Sequence, residues 1–471
     1  MNLLAPAAPP VPATSSHVWP VAVIGGGLTG LTTAWHLRRA GIPVVVFEAG
    51  VAPGGVIGSG REDGWLAETG PNTLFENTPD IAAFLKDLGL YERRLVANPA
   101  AAKRYVVHRG APVALPDSAL KFVTTPLLSA RAKLNVLGEP FRGRPPAGRE
   151  ESVAEFVTRR LGPEFLDYIV NPFVAGVFAG DPAALSVKHA FPKLFALEHE
   201  HGSLVRGSLA RRNASGAPKG SMISFPDGLA EVPRALARDL GPDLRLGHAV
   251  THVRRTGSTW QVGFVAGGVR REEDFAAVVC ALPPDLLGGL RFEGVPDTGA
   301  LAKLRGITSP AVASVFLGYR REDVAHPLDG FGILTPAVER RRILGTLFSS
   351  TLFPGRAPEG HVALTTFVGG TRQPELACAS DRELLETVRS ELGALLGVRG
   401  TPVFTRIQRW PHAIPQYTVG FQQFKDACAA AEAGAPGLFI GGTSRDGVSL
   451  SQCLAAGKRL AAAVKLAVGA G

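Results

Sequence analysis

The chain is poor in cysteine, and the four it has, Cys280, Cys378, Cys428 and Cys453, lie far apart with no CxxC and no histidine at metal-ligand spacing. That excludes a disulfide framework and a zinc site, so the expectation is buried free thiols in a reducing compartment and no bound metal. No lysine or arginine precedes Arg38, so the charged region that opens a secretory signal is missing. The Ala- and Pro-rich stretch 1–17 reads instead as the disordered leader of a cytoplasmic protein. No uninterrupted apolar run reaches about 18 residues, which excludes a spanning helix but leaves peripheral membrane contact open. Basic clusters interleaved with aromatics are also lacking, so the net charge of +9 does not point to nucleic acid. Anionic lipid or a carboxylated substrate fits that charge better, beside the plainer reading of a solvated basic surface.

What is present starts at Val21. Val-Ala-Val-Ile leads into Gly25-Gly26-Gly27-Leu28-Thr29-Gly30, an apolar helical stretch follows, and Val44-Val45-Val46-Phe47 ends in Glu48. This is strand, glycine turn, helix, strand and acid, the order a dinucleotide requires. Gly25 allows the tight turn, Gly27 lets a pyrophosphate approach the helix N-terminus, Gly30 lets helix and strand pack closely, and Glu48 can accept from ribose hydroxyls. A GxGxxG alone also arises as an ordinary strand-to-helix connection; here the flanking strands, the helix and the acid coincide with it. The motif does not by itself separate NAD from FAD.

At 471 residues the chain exceeds one core, so two or three domains are expected, and 45% apolar residues suffice to fill them. A helix-rich stretch runs from about Lys121 to Glu200, interrupted by the loop Arg142 to Glu151, and a polar linker covers Arg211 to Ser221. Strand, helix, strand rhythm returns between Val232 and Cys280, with one strand-like run from Leu244 to Val253. Val312–Leu317, Phe331–Thr335 and Val362–Val368 predict a separate antiparallel sheet. Near the end, Gly437 to Gly442 reads as strand into glycine turn, and Gly447-Val448-Ser449 opens a helix whose free amides could face an electron-rich ring. An ordinary capped helix is the alternative.

The turns after Glu48, Pro53-Gly54-Gly55 and Glu68-Thr69-Gly70-Pro71-Asn72, resemble those of flavin-dependent amine oxidases, which makes FAD the expected cofactor. Further stretches narrow the likeness: Arg159-Arg160-Leu161-Gly162-Pro163-Glu164, Gly176-Val177-Phe178-Ala179-Gly180-Asp181, Gly330-Phe331-Gly332, Ile414-Pro415-Gln416-Tyr417 and Gly447-Val448-Ser449-Leu450. Over nearly its whole length the chain resembles the oxygen-dependent protoporphyrinogen oxidase family.

That resemblance implies an α/β fold with a discontinuous Rossmann-like FAD-binding domain (18–88, 224–290, 409–471), an α+β substrate domain (89–107, 205–223, 291–408) and an inserted, membrane-binding helical domain (108–204). It implies tetrapyrrole and dioxygen as partners, six-electron oxidation of protoporphyrinogen IX, and no acid or base of recognisable catalytic pattern. It assigns Arg104 to a propionate, Gly176 to the backbone against the macrocycle and Phe331 to stacking on a pyrrole. Gly25, Gly26, Gly27, Gly30, Glu48, Gly55, Val253, Gly447 and Val448 fall to the flavin. Read from the residues alone, Arg104 is a surface cation beside Lys103, Phe331 a core residue and Gly176 a helix break. His189, His199, His201 and His412 are expected at the surface or in loops. Leu127, Leu128, Leu134 and Leu137 could rest on a bilayer or form the insertion's own core. A homodimer, coproporphyrinogen as substrate, a non-redox flavoprotein, and an amine oxidase or carotenoid desaturase stay open, although five tyrosines offer no aromatic pair of the kind an amine oxidase sets beside its flavin.

Overall fold

Runs such as Val21–Ile24 and Ala277–Cys280, apolar and buried throughout, are satisfied as parallel strands covered on both faces. The computed structural model, which describes residues 19–143, 148–214, 220–296 and 298–469, arranges them so. Its parallel sheet runs Leu244–Leu246, Val44–Glu48, Val21–Ile24, Ala277–Cys280, Leu438–Ile440. Val21 lies opposite Ala277 and Val278 opposite Leu438, so one sheet draws on three distant stretches. The helix Leu28–Arg39 covers it and packs on the C-terminal helix Leu450–Val468. That approach needs Gly457, where a Cβ would stand 2.7 Å from Thr32 Cβ.

The run read as one strand from Leu244 to Val253 is two. Gly247, at φ +69°, ends Leu244–Leu246 and sends His248–Thr256 into a second, four-stranded sheet with Thr259–Ala266, Val269–Phe275 and Arg291–Glu293. A seven-stranded sheet follows the order Phe404–Trp410, Val312–Arg320, His361–Gly369, Gly345–Leu347, Gly330–Leu334, Lys103–His108, Ala111–Ala114. It is antiparallel as expected except where Gly330–Leu334 runs parallel to Lys103–His108.

Three boundaries move. Ala111–Ala114 pairs with Lys103–His108, so the helical stretch begins after it rather than at 108. The helix Leu204–Ala214 crosses 204 and replaces the first part of the expected linker. Phe404–Trp410 crosses 408, because Trp410 pairs with Val312. The leader expected over 1–17 lies outside the described residues.

The described residues between Ala119 and Ala214 are mainly helical around a core of Val153, Phe156, Val157, Val174 and Phe178. Ser152 and Glu155 close a capping box at the start of Val153–Leu161. Arg160, fully buried, is paired with Glu139 at 3.2 Å and with Glu198. The four leucines divide: Leu127 and Leu128 are core, whereas Leu134 and Leu137 face solvent.

Candidate functional site

The glycines of the first turn are required for two different reasons. Gly25 has φ +109°, and a Cβ there would stand 2.7 Å from Ala281 O; at Gly30 it would stand 1.9 Å from Gly25 O. Both are demanded by the fold itself. Gly27, with φ −73° and ψ 176°, meets nothing within 4 Å. Its backbone suits any residue, so the fold itself does not require glycine there. Gly27 is the N-cap of Leu28–Arg39, and no side chain caps that helix. An open helix N-terminus beside an unhindered glycine is an anion seat, and it fits the pyrophosphate of FAD.

Glu48 closes the cradle. Its carboxylate accepts from Gly26 N at 2.7 Å and from Gly50 N at 2.7 Å, which fixes it at the end of its strand beside the turn. The second glycine turn lies on the first: Gly54 N donates to Gly26 O at 2.8 Å, and a Cβ on Gly55 would stand 3.3 Å from Gly27 Cα. Gly25, Gly26, Gly27, Gly30, Glu48 and Gly55 thus form one constellation. Val253 is fully buried between Val262 and Phe292 in the second sheet and packs in the cluster that also holds Ile24 and Phe47, the residues preceding Gly25 and Glu48. Glu68, in the acid-glycine turn, is a structural pin. It accepts from Leu229 N and Ser59 Oγ and lies 3.5 Å from Arg356, while burial pushes its carboxyl up.

At the carboxyl edge of the same sheet, Leu438–Ile440 enters the turn Gly441 to Gly447, and a Cβ on Gly442 would lie 3.5 Å from Thr29 Oγ1 of the dinucleotide helix. Crevices at this edge are where α/β sheets take ligands. Gly447 has φ +123°, and Val448 packs against both the sheet's core and the helical insertion's. The free helix end expected here is capped. Ser449 accepts from Gln452 N, and Gln452 Oε1 accepts from Ser449 N at 3.1 Å. Gly447 N–H is also used, donating to the Tyr417 hydroxyl at 2.8 Å.

On the substrate side, Arg104 and Phe331 occupy adjacent parallel strands. Gly330 is opposite Lys103 and Gly332 opposite Arg104, so Phe331 is the extra residue of a bulge, a device that re-aims a side chain. Arg104 Cζ stands 5.5 Å from the Phe331 ring centroid. Gly332 is required because a Cβ would stand 2.3 Å from Thr346 O. Among the described residues Arg104 makes no ion pair, whereas Lys103 and the Tyr105 hydroxyl both bind Asp329. Those two partners hold the Asp329 carboxyl below the usual range, and burial followed by this bond pushes Tyr105 up to about 12. Phe331 packs against the apolar cluster of Ala101, Leu352 and Phe353.

Gly176 is exposed in the helix Asn171–Phe178, and a Cβ there would stand 2.6 Å from Leu334 Cδ2, on the strand that carries Phe331. One residue missed by sequence reasoning holds these elements together. Arg372 donates to Asn171 Oδ1 at 2.7 Å and to Thr335 O at 2.6 Å, tying the helix start to the strand end; burial lowers its pKa to about 10. Asn171-Pro172 was readable as a helix start, but nothing in sequence marks Arg372 as its partner. His189, expected at the surface, is buried beside Phe421. Cys280, Cys428 and Cys453 are buried as expected and Cys378 is exposed. No group of three or more His, Cys, Asp or Glu side chains among the described residues could hold a metal.

Residues 28–465 match the family of flavin containing amine oxidoreductases. Protoporphyrinogen oxidase 2, chloroplastic/mitochondrial, of Arabidopsis thaliana is 34% identical, over 94% of this chain and 92% of that protein. Coproporphyrinogen III oxidase of Staphylococcus aureus is 30% identical, over 93% and 97%. In fold, a crystal structure from Exiguobacterium sp. 255-15, described as a candidate protoporphyrinogen oxidase, superposes with a TM-score of 0.81 at 24% identity, over 96% of this chain and all of that one.

Proposed function

This chain belongs to the flavin-containing amine oxidoreductase family and is an FAD-dependent oxidoreductase, and we propose that it oxidises protoporphyrinogen IX to protoporphyrin IX in haem synthesis. The substrate loses six hydrogens in three pairs, and each pair reduces one dioxygen to hydrogen peroxide. Bound FAD supplies the two-electron acceptor that dioxygen regenerates between rounds.

The protein's own work is to bind and orient. The open N-terminus at Gly27 holds the pyrophosphate, Glu48 the adenosine ribose, Val253 the adenine side, and Gly447 with Val448 the ring. Arg104 takes a propionate through its fork, Phe331 stacks on a pyrrole, and the Gly176 backbone lies against the macrocycle. No strong base is needed where positioning supplies most of the rate.

The observation that carries this reading is the Arg104 guanidinium, without an ion pair among the described residues, over the Phe331 ring, a seat for a molecule both aromatic and carboxylated. Its apolar surroundings favour a substrate with two carboxylates over one with four. Coproporphyrinogen is the second reading, favoured by the staphylococcal relative. Anaerobic mixing of the holoenzyme with each porphyrinogen, following flavin absorbance and porphyrin fluorescence, separates them. Bleaching with faster turnover of protoporphyrinogen is expected. Faster turnover of coproporphyrinogen would replace the substrate, and no bleaching with either would overturn the reaction.

The location we infer is cytoplasmic and peripheral on the inner face of the membrane, with a homodimer as the assembly. No described helix is long and apolar enough to cross a bilayer. Leu120, Val123, Leu134, Leu137 and Phe141 are exposed near Lys121 and Arg131 on the helical insertion, a composition suited to resting on anionic lipid.

A further inference from the structure

Tyr417 touches three parts of the molecule at once. Its carbonyl accepts from Ser186 N of the helical insertion at 2.8 Å, and its ring stacks on Phe421 with centroids 4.1 Å apart. The hydroxyl, buried, donates to Thr443 O at 2.8 Å and accepts from Gly447 N at 2.8 Å. Both capacities of the hydroxyl are therefore spent within one turn, as a chord across residues 443 to 447. Burial raises its pKa far above the working range, so it stays protonated.

We propose that Tyr417 is a positioning residue of the flavin seat: its hydroxyl sets where Gly447 and Val448 stand relative to the flavin ring, and it couples that turn to the helical insertion. This rests on the reading that places Gly447 and Val448 beside the ring. Other bonds already hold the start of the turn. Ser444 Oγ donates to Leu282 O at 2.7 Å, Gly442 N to Asp446 Oδ2 at 2.8 Å, and Arg445 pairs with Glu432 at 2.6 Å. They secure residues 442 to 446 without reaching Gly447. Loss of the hydroxyl therefore leaves the turn folded while Gly447, at φ +123°, loses the partner of its N–H.

The test uses full-length holoenzyme carrying Tyr417→Phe, which keeps the ring stack, and separately Gly447→Ala, with circular dichroism as the check on folding. Tyr417→Phe is expected to weaken FAD by roughly five- to tenfold on reconstitution, as one lost hydrogen bond implies. It should also change the visible flavin spectrum and slow anaerobic flavin reduction, with KM for the porphyrinogen unmoved. A wild-type spectrum and FAD affinity in Tyr417→Phe, alongside altered ones in Gly447→Ala, would overturn the proposal and spare the reading beneath it. Unaltered flavin in both variants would overturn both.

Discussion

Arg104 is paired across two parallel strands with Gly332, and the residue left out of that register, Phe331, is the one whose ring lies under its guanidinium. The bulge creates the contact: with regular pairing the ring would take Gly332's place opposite Arg104. If this seat receives a propionate, Arg104→Ala should lower kcat/KM for the porphyrinogen by roughly 10- to 100-fold, mostly through KM, the loss of a charge-assisted bond of about 1.5–3 kcal/mol. Arg104→Lys should recover only part, because a point charge does not reproduce the fork. Steady-state kinetics decide it; an unchanged KM in Arg104→Ala would remove the residue from the site.

Gly27 and Gly30 should part company on substitution. Gly30→Ala forces a carbon onto Gly25 O and should cost about 3 kcal/mol of stability even without cofactor. Gly27→Ala meets open space at a permissible backbone conformation, so apoprotein stability should change by no more than about 0.5 kcal/mol. FAD affinity should nonetheless fall by roughly tenfold or more, since the pyrophosphate can no longer reach the backbone. Urea unfolding of apoprotein and FAD titration measure the two effects separately.

Much of this was legible because it is local. The glycine turn and Glu48 lie within about 30 residues, and their spacing states their purpose. The Ser449-x-x-Gln452 capping box was equally readable and argues against a free helix end. So was the hairpin at Asp63-Gly64, whose φ values of 47° and 80° are those of a two-residue primed turn. What no periodicity reveals is pairing at long range. Val253 reads like any buried strand residue, and its place between Val262 and Phe292 follows from a sheet that closes only in three dimensions. Arg372 meeting Asn171, and Tyr417 meeting Gly447, are of the same kind.

Stability should decline in mild acid. Burial holds His326 below its ordinary 6.5, and Nδ1 accepts from Leu328 N at 3.0 Å, so the folded protein keeps this ring neutral. A histidine whose folded pKa is depressed takes up its proton more readily when unfolded. Its contribution is therefore complete above pH 6.5 and is lost as pH falls toward the folded value. His36 and His189 are lowered by burial in the same sense. Melting temperature should drop between pH 6.5 and 5, and His326→Asn, which retains an acceptor for Leu328, should flatten the slope.

If the protein rests on a membrane as proposed, the apolar side chains that the insertion leaves outside its core should carry the attachment. Phe141 is 86% and Leu134 68% exposed. Phe141→Asp and Leu134→Asp should each reduce co-sedimentation with anionic vesicles by roughly tenfold, in proportion to the apolar surface withdrawn from lipid. FAD content should be unchanged. Equal sedimentation of both variants and wild type would assign the patch to another surface.

The parallel sheet has a consequence in time. Its last strand, Leu438–Ile440, pairs with Ala277–Cys280, which in turn flanks Val21–Ile24. A ribosome delivers residues in chain order, so the glycine turn after Val21–Ile24 emerges long before the strands that complete its sheet. The nascent protein must therefore hold an unfinished sheet in reserve until Leu438–Ile440 has been synthesised, with hydrophobic strand edges awaiting their mates. Coenzyme capture becomes a closing event of biogenesis, and a cell short of riboflavin should accumulate this polypeptide as a target for chaperones and proteases.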